Sequence, residues 1–173
     1  MRAVRTPLLV FALAFFAASP AHTQQARTIY LVRHADKVSE DADAPLNDAG
    51  RVRAACLANT LRDANIRQIF TSELQRTQQT AVPLATELHL KPVAIPLSKV
   101  DDLIEAVRTS KAENVLVVWH DATLPKIIQA LGGPEIPPIG HLEYDHFFVL
   151  SFSGAPSTAK PGFIALRYCD PQK

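Results

Sequence analysis

The sequence is poor in several features that would identify a class of protein at once. Its 173 residues contain two cysteines, so it lacks the CxxC pairs and the cysteine–histidine spacing of a zinc site. Its formal net charge is only +1, which leaves no global field that would favour a nucleic acid or an anionic membrane as a partner. It has no internal repeat and no second domain. Any binding of an anion must therefore come from a local cluster of side chains.

The first 21 residues differ in composition from the rest. Arg2 and Arg5 precede an uninterrupted apolar run, and a small-residue cleavage site ends at Ala21. This pattern is typical of a secretory signal peptide, and the run is short for a membrane span. We therefore predict a signal peptide over residues 1–21, a single domain over residues 22–173, a periplasmic or secreted location, and no stable membrane contact after cleavage. The alternative is an uncleaved N-terminal anchor.

After residue 27, short apolar runs alternate with segments of helical periodicity. Strand and helix alternate four times, and two further strands follow. This order predicts a three-layer α/β/α domain, with helices on both faces of a mainly parallel central sheet and antiparallel addition at an edge. The predicted strands are 28–32, 68–70, 93–95, 115–119, 147–152 and 163–168, and the predicted helices are 48–63, 72–88, 100–110 and 123–131.

Local signals refine this outline at the helix ends and at the cysteines. Asn47 precedes the first helix as a reasonable N-cap, and Ser72 is expected to cap the second. Pro83 lies inside the second helix and would kink or split it. Cys56 falls in a helical pattern and Cys169 lies near the C-terminus. An oxidising compartment would permit a disulfide, and the alternative of two buried thiols stays equally open.

Cationic and titratable side chains follow three of the predicted strands. Arg33 and His34 follow the first strand, Arg76 lies about one turn into the helix after the second, and His120 and Asp121 follow the central strand. Ligands of open α/β sheets bind beyond the carboxyl ends of the strands. Two guanidiniums, two imidazoles and the helix N-termini would there form a pocket for a phosphate dianion. Taken singly, a structural histidine, a solvated arginine and a capping aspartate are simpler explanations.

These residues lie in motifs that resemble those of the histidine phosphatase superfamily, which has the phosphoglycerate mutase-like fold. The resemblance runs in order from about residue 28 to residue 168, and its most specific part is the Arg-Thr-x-x-Thr-Ala segment. The matching segments are RHADK at 33–37, PLNDAGRVRA at 45–54, SELQRTQQTA at 72–81 and WHDAT at 119–123.

The resemblance implies a phosphohydrolase, as a small exported bacterial-type member of the superfamily's first branch. His34 would attack phosphorus and form a phosphohistidine that water hydrolyses, while Arg33, Arg76 and His120 would bind the non-bridging oxygens. The arginines would supply the positive charge that a divalent cation supplies elsewhere, so no metal and no cofactor is implied. The implied partner is a small phosphorylated substrate. The identity of that substrate and the oligomeric state stay open.

The last motif departs from the usual Gly-His-Ser-Asn of the family, because Asp121 stands where the serine is expected. An aspartate at this place protonates the leaving group in the acid phosphatases of the superfamily, so Asp121 is a candidate proton donor; the alternative is a helix cap. Glu87 and Glu105 are weaker counterparts of the acid that the mutases carry. We expect residues 141–146 to form a loop before a strand rather than a metal site. A non-catalytic phosphate-binding module and a phosphomutase remain as alternatives.

Overall fold

The computed structural model describes residues 26–153 and 160–169, and the signal peptide predicted at residues 1–21 lies outside them. Within these ranges, no helix is both long and apolar enough to cross a membrane. The strands described are β1 (Arg27–Arg33), β2 (Gln68–Thr71), β3 (Val93–Ala94), β4 (Asn114–Trp119), β5 (His146–Phe152) and β6 (Gly162–Arg167). The helices are α1 (Asp48–Leu61), α2 (Gln75–Glu87), α3 (Val100–Thr109) and α4 (Leu124–Ala130).

The strands form one mixed sheet in the order β3-β2-β4-β1-β5-β6. The first four run parallel to one another, whereas β5 is antiparallel to β1 and β6 is antiparallel to β5. β4 lies between β2 and β1, and its side chains from Val115 to Trp119 are buried. The sheet confirms the prediction of a mainly parallel core with antiparallel strands added on one side.

Helices cover both faces of the sheet, as predicted. Successive side chains of β4 point to opposite faces, so Leu116 and Val118 lie under α1 and α2 while Val115 and Val117 lie under α3 and α4. The three-layer α/β/α architecture is thereby confirmed. The helical side chains that pack on the sheet are Leu57, Leu61, Ala81 and Leu84 on one face and Leu103, Val107, Leu124 and Ile127 on the other.

The helix boundaries follow from local side-chain chemistry. Asn47 is the N-cap of α1, as predicted, and its Oδ1 accepts a hydrogen bond from the Gly50 N–H at 2.8 Å. Ser72 does not cap α2. Leu74 occupies that position, and Ser72 Oγ accepts from the Leu74 N–H. Pro83 does not split α2, because buried side chains before and after it hold both halves of the helix in the core.

A glycine allows α1 to approach the segment that follows β1. A Cβ on Gly50 would lie 2.1 Å from the carbonyl oxygen of Asp36, so any other residue would force the two segments apart. The same carbonyl accepts from the Asn47 N–H at 3.0 Å. The Asp36 carboxylate pairs with Arg53 Nε at 2.7 Å. These contacts fix α1 close to the carboxyl end of β1.

A disulfide joins α1 to the segment after β6. Cys56 and Cys169 are bonded, with their Cα atoms 6.0 Å apart and a sequence separation of 113. The sequence left a disulfide and two buried thiols as alternatives, and the structure contains the disulfide. Arg53 adds to this junction, because its Nη1 donates to the Cys169 carbonyl at 2.6 Å.

We expect the double substitution Cys56→Ser/Cys169→Ser to lower the free energy of unfolding by about 2–4 kcal/mol, because a long closed loop restricts the unfolded chain. Urea denaturation of the oxidised wild type and of the double variant measures this difference. The wild type in reducing agent is the control, and its urea midpoint should equal that of the double variant. Equal midpoints for oxidised wild type and double variant would show that the bridge does not stabilise the fold.

Candidate active site

The carboxyl ends of β1, β2 and β4 open into a cleft of about 330 Å³. Arg33 and Trp119 are paired in register at the ends of β1 and β4. The next residues, His34 and His120, therefore lie side by side, with ring centroids 5.3 Å apart. The site residues predicted from the sequence, Arg33, His34, Arg76, His120 and Asp121, all line this cleft, together with Lys37 and His141.

His34 is a buried histidine with a defined tautomer. Its side chain and backbone are 2% exposed, and its Nδ1 lies 2.8 Å from the carbonyl oxygen of Ala35. A carbonyl only accepts, so Nδ1 carries the proton and Nε2 keeps its lone pair. Burial lowers the pKa of His34 to about 3; Arg33 and Arg76 add to the shift, and the bond to Ala35 opposes it. At neutral pH this is a neutral imidazole with an available nitrogen.

The segment around His34 is attached to α2 through a threonine. The Ala35 N–H donates to Thr80 Oγ1 at 2.9 Å, and Thr80 Oγ1 donates to the Arg76 carbonyl at 2.6 Å. Thr80 is fully buried. The second threonine of the Arg-Thr-x-x-Thr-Ala segment therefore links the backbone beside His34 to the helix that carries Arg76.

The guanidinium of Arg33 is held mainly by the loop before β5. Its Nη1 lies 3.0, 2.7 and 3.2 Å from the carbonyl oxygens of Gly140, His141 and Glu143. Its central carbon lies 4.1 Å from the centroid of the Tyr144 ring, a cation–π distance. Arg33 is 1% exposed, so these groups replace the water that a charged guanidinium would otherwise bind.

Two guanidinium donors in the site have no partner. Arg76 reaches the cleft from the first turn of α2, and its Nη1 donates to the Ala42 carbonyl at 2.7 Å. The Nε atoms of Arg76 and Arg33 are buried and have no hydrogen-bond partner among the described residues. Unpaired buried donors are costly, and donors on cations bind anionic oxygens best. Two arginines with incompletely paired guanidiniums therefore line the cleft.

His120 approaches the cleft from the end of β4. Its Nε2 lies 2.9 Å from Ser72 Oγ, so Nδ1 is the ring nitrogen left for a ligand. Burial lowers the pKa of His120 to about 3, with His34 and Arg76 adding to the shift and Asp121 opposing it. His120 is therefore also neutral at neutral pH, and its hydrogen bonds decide which nitrogen carries the proton.

Asp121 pairs with Arg33 instead of capping a helix. Its Oδ2 lies 2.8 Å from Arg33 Nη2, and 25% of its side chain is exposed. Its Oδ1 accepts from the Ala122 N–H at 2.8 Å. The capping alternative is wrong, because Thr123 occupies the N-cap position of α4. Asp121 thus occupies a place where an anion bound to Arg33 would compete with it.

The other acidic residues considered from the sequence do not line the cleft. Glu87 pairs with Arg62 at 2.6 Å, and Glu105 is exposed on α3. Residues 141–146 lead into β5, as predicted. Across the described part of the chain, no group of three or more His, Cys, Asp and Glu side chains could hold a metal ion.

Two side chains at the cleft mouth had no role in the prediction. Lys37 Nζ pairs with Glu40 at 2.6 Å, and His141 Nε2 lies 3.1 Å from the same carboxylate. These contacts connect the segment after β1 to the loop before β5. Lys37 could have been found, since it belongs to the RHADK segment. His141 could not, because Glu40 lies 101 positions away in the sequence.

Comparison with known proteins shows that these motifs and this fold are similar to those of one family. Residues 29–106 match the model of the histidine phosphatase superfamily, branch 1. A probable phosphoglycerate mutase, GpmB, of Yersinia enterocolitica is 36% identical over 116 residues, which are 63% of this chain and 53% of that protein. The chain thus spans about half the length of the curated relatives it matches.

Solved structures support the fold. The putative phosphohistidine phosphatase SixA from Nakamurella multipartitia has a TM-score of 0.61 at 23% identity, and the match covers 84% of this chain and 98% of that one. The protein histidine phosphatase SixA complexed with tungstate has a TM-score of 0.59 at 20% identity, with 81% and 96% covered. At these identities the likeness establishes the fold alone. Residues 29–106 are similar to branch 1 of the histidine phosphatase superfamily, and the fold agrees with that similarity.

Proposed function

We propose that the protein is a phosphohydrolase that removes phosphate from a small phosphomonoester through a phosphohistidine on His34. The observation that carries this proposal is a buried, neutral imidazole with Nδ1 bound to Ala35, in a cleft that Arg33 and Arg76 also line. A neutral imidazole is a competent nucleophile, and fixed cations stabilise the charge of a phosphoryl group. The tungstate complex of SixA supports the proposal, since tungstate is a tetrahedral oxyanion.

In the proposed reaction, the lone pair of His34 Nε2 forms a bond to phosphorus while the bond from phosphorus to the leaving oxygen breaks. Arg33, Arg76 and His120 bind the non-bridging oxygens. Water then attacks phosphorus and gives up a proton, the bond from phosphorus to nitrogen breaks, and inorganic phosphate leaves. His34 keeps its Nδ1 proton throughout, because Nδ1–H donates a hydrogen bond to the Ala35 carbonyl.

We propose Asp121 as the group that protonates the leaving oxygen. In the free protein, Oδ2 of Asp121 pairs with Arg33. A phosphate dianion would compete for the same guanidinium and release Oδ2, which could then carry a proton. Its partial exposure suits a group that must exchange protons with solvent between turnovers.

A phosphomutase is the second candidate. It is supported by the name of the Yersinia enterocolitica relative, a probable phosphoglycerate mutase that is 36% identical over 116 residues. The phosphohistidine would form in the same way, and the phosphoryl group would pass to a hydroxyl of a phosphorylated acceptor instead of to water.

We expect the wild type to release phosphate from p-nitrophenyl phosphate and His34→Ala to be at least about 10³-fold slower, because the nucleophile is lost. The matched control is His89→Asn, which lies beyond the far end of α2. His89 has a φ of 53°, a conformation that asparagine tolerates.

Three measurements on the wild type separate the hydrolase, the mutase and the binding module. Phosphorus label trapped on His34 after rapid quenching, with phosphate as the product, supports the hydrolase. Formation of 2-phosphoglycerate from 3-phosphoglycerate supports the mutase. Calorimetric binding of phosphate with no turnover across a panel of phosphomonoesters would leave only the binding module.

We expect Asp121→Asn to slow hydrolysis of an alkyl phosphate, such as a sugar phosphate, by about 10²-fold or more. The loss on p-nitrophenyl phosphate should be much smaller, because p-nitrophenolate leaves without a proton. Values of kcat/KM for the two substrates measure the difference. Glu40→Gln is the control, as it removes a different carboxylate from the cleft mouth. Equal losses of Asp121→Asn on both substrates would exclude Asp121 as the donor.

We propose that the protein is exported. The support is the signal-peptide pattern of residues 1–21 and the Cys56–Cys169 bridge, of a kind that persists in oxidising compartments. Cell fractionation with N-terminal sequencing should find the mature chain in the periplasm or medium, beginning after Ala21. Full-length chain in the membrane fraction would favour the anchor, and recovery from the cytoplasm would contradict export.

A further inference from the structure

Ser72 connects the second histidine of the site to helix α2. Its Oγ lies 2.9 Å from His120 Nε2 and 2.9 Å from Thr77 Oγ1, and it accepts from the Leu74 N–H at 3.2 Å. Ser72 and Thr77 are both fully buried. Since water does not reach these hydroxyl groups, each proton has few possible positions.

The direction of the hydrogen bond between Ser72 and His120 decides whether Nδ1 of His120 is a donor or an acceptor toward a ligand. Nε2 is engaged by Ser72, so Nδ1 is the nitrogen of His120 that remains for the cleft. A neutral imidazole has one N–H. If Ser72 donates to Nε2, the proton is on Nδ1. If Nε2 donates to Ser72, then Nδ1 presents a lone pair.

Two arrangements of protons satisfy this network. In the first, the Leu74 N–H and the Thr77 hydroxyl donate to Ser72 Oγ, and Ser72 donates to His120 Nε2. In the second, the Thr77 hydroxyl donates to the Leu74 carbonyl at 2.9 Å, Ser72 donates to Thr77, and His120 Nε2–H donates to Ser72. The distances permit both, so the surroundings of His120 must choose between them.

An anion bound in the cleft favours the first arrangement. The cations Arg33, Lys37 and Arg76 line the cleft and suit an anion. A lone pair on Nδ1 would face an anionic oxygen and repel it, whereas an N–H would donate to it. Burial keeps His120 neutral, with a pKa of about 3. The ring therefore carries one proton at neutral pH, and that proton is on either Nδ1 or Nε2.

We propose that Ser72 is a positioning residue that donates to Nε2 of His120 and thereby holds it in the Nδ1–H tautomer, a neutral donor for a phosphate oxygen. Its part in turnover rests on the proposed function. The tautomer itself requires only a bound anion and no turnover.

Nitrogen-15 NMR of the wild type measures the tautomer directly. The sequence contains six histidines, and the signals that disappear in His120→Gln identify His120. At neutral pH, with saturating inorganic phosphate, we expect a protonated Nδ1 and an unprotonated Nε2. A protonated Nε2 in the wild type would overturn the proposal, whether or not the protein turns over any substrate.

Variants separate positioning from simple stabilisation. We expect Ser72→Ala to give mixed tautomers and about tenfold weaker inhibition by inorganic phosphate, and Ser72→Thr, which keeps the hydroxyl, to restore both. Thr77→Val is the matched control, since it removes the other hydroxyl of the same buried network. It should keep the tautomer and stay within about twofold of wild type in phosphate inhibition.

The failures of the two proposals are distinguishable. A Thr77→Val variant that switches to the Nε2–H tautomer would show that Thr77 and not Ser72 fixes the tautomer, and would overturn the role of Ser72. The predicted tautomer in a wild type that releases no phosphate from any phosphomonoester would overturn the proposed function and leave the Ser72 hydrogen bond in place.

Discussion

The buried guanidinium of Arg33 is the charge on which the site depends. Transfer of a charge out of water costs several kcal/mol unless other groups take the place of water. Three carbonyl oxygens of the loop before β5, the Asp121 carboxylate and the Tyr144 ring do so. Burial still lowers the pKa of Arg33, and Asp121 opposes this most among the charged neighbours. The loop is therefore shaped by Arg33, because its carbonyls converge on one nitrogen.

The start of α2 is the second organiser of the site. Ser72 contacts His120, Arg76 reaches the cleft, and Thr80 holds the backbone beside His34. One short segment of the chain thus binds His120 and the backbone beside His34, and supplies a cation. This gives a physical reason why the SELQRTQQTA segment is the most specific part of the resemblance: several of its polar side chains contact the site.

The strands, the helices and the members of the site could be predicted from the sequence, because hydrophobic periodicity and strand order determine which residues share an edge. The partners within the site could not. Arg33 binds carbonyls 107 to 110 positions away, in a connection without periodicity. Pro83 does not split α2, because the packing of the whole helix outweighs one lost hydrogen bond. The disulfide could not be predicted either, because the distance between Cys56 and Cys169 depends on tertiary structure.

Asp121 reduces the net contribution of Arg33 to the affinity of the cleft for an anion. In the free protein, its carboxylate already pairs with Arg33 Nη2, so this cation is not an empty anion site. A phosphate oxygen that binds there exchanges one anionic partner for another, and only the difference between the two pairings contributes to affinity. Arg76 donates instead to the neutral Ala42 carbonyl, so an anion that binds Arg76 does not have to displace a carboxylate. In the proposed reaction the same exchange applies to the product, so Asp121 would help to displace inorganic phosphate after hydrolysis.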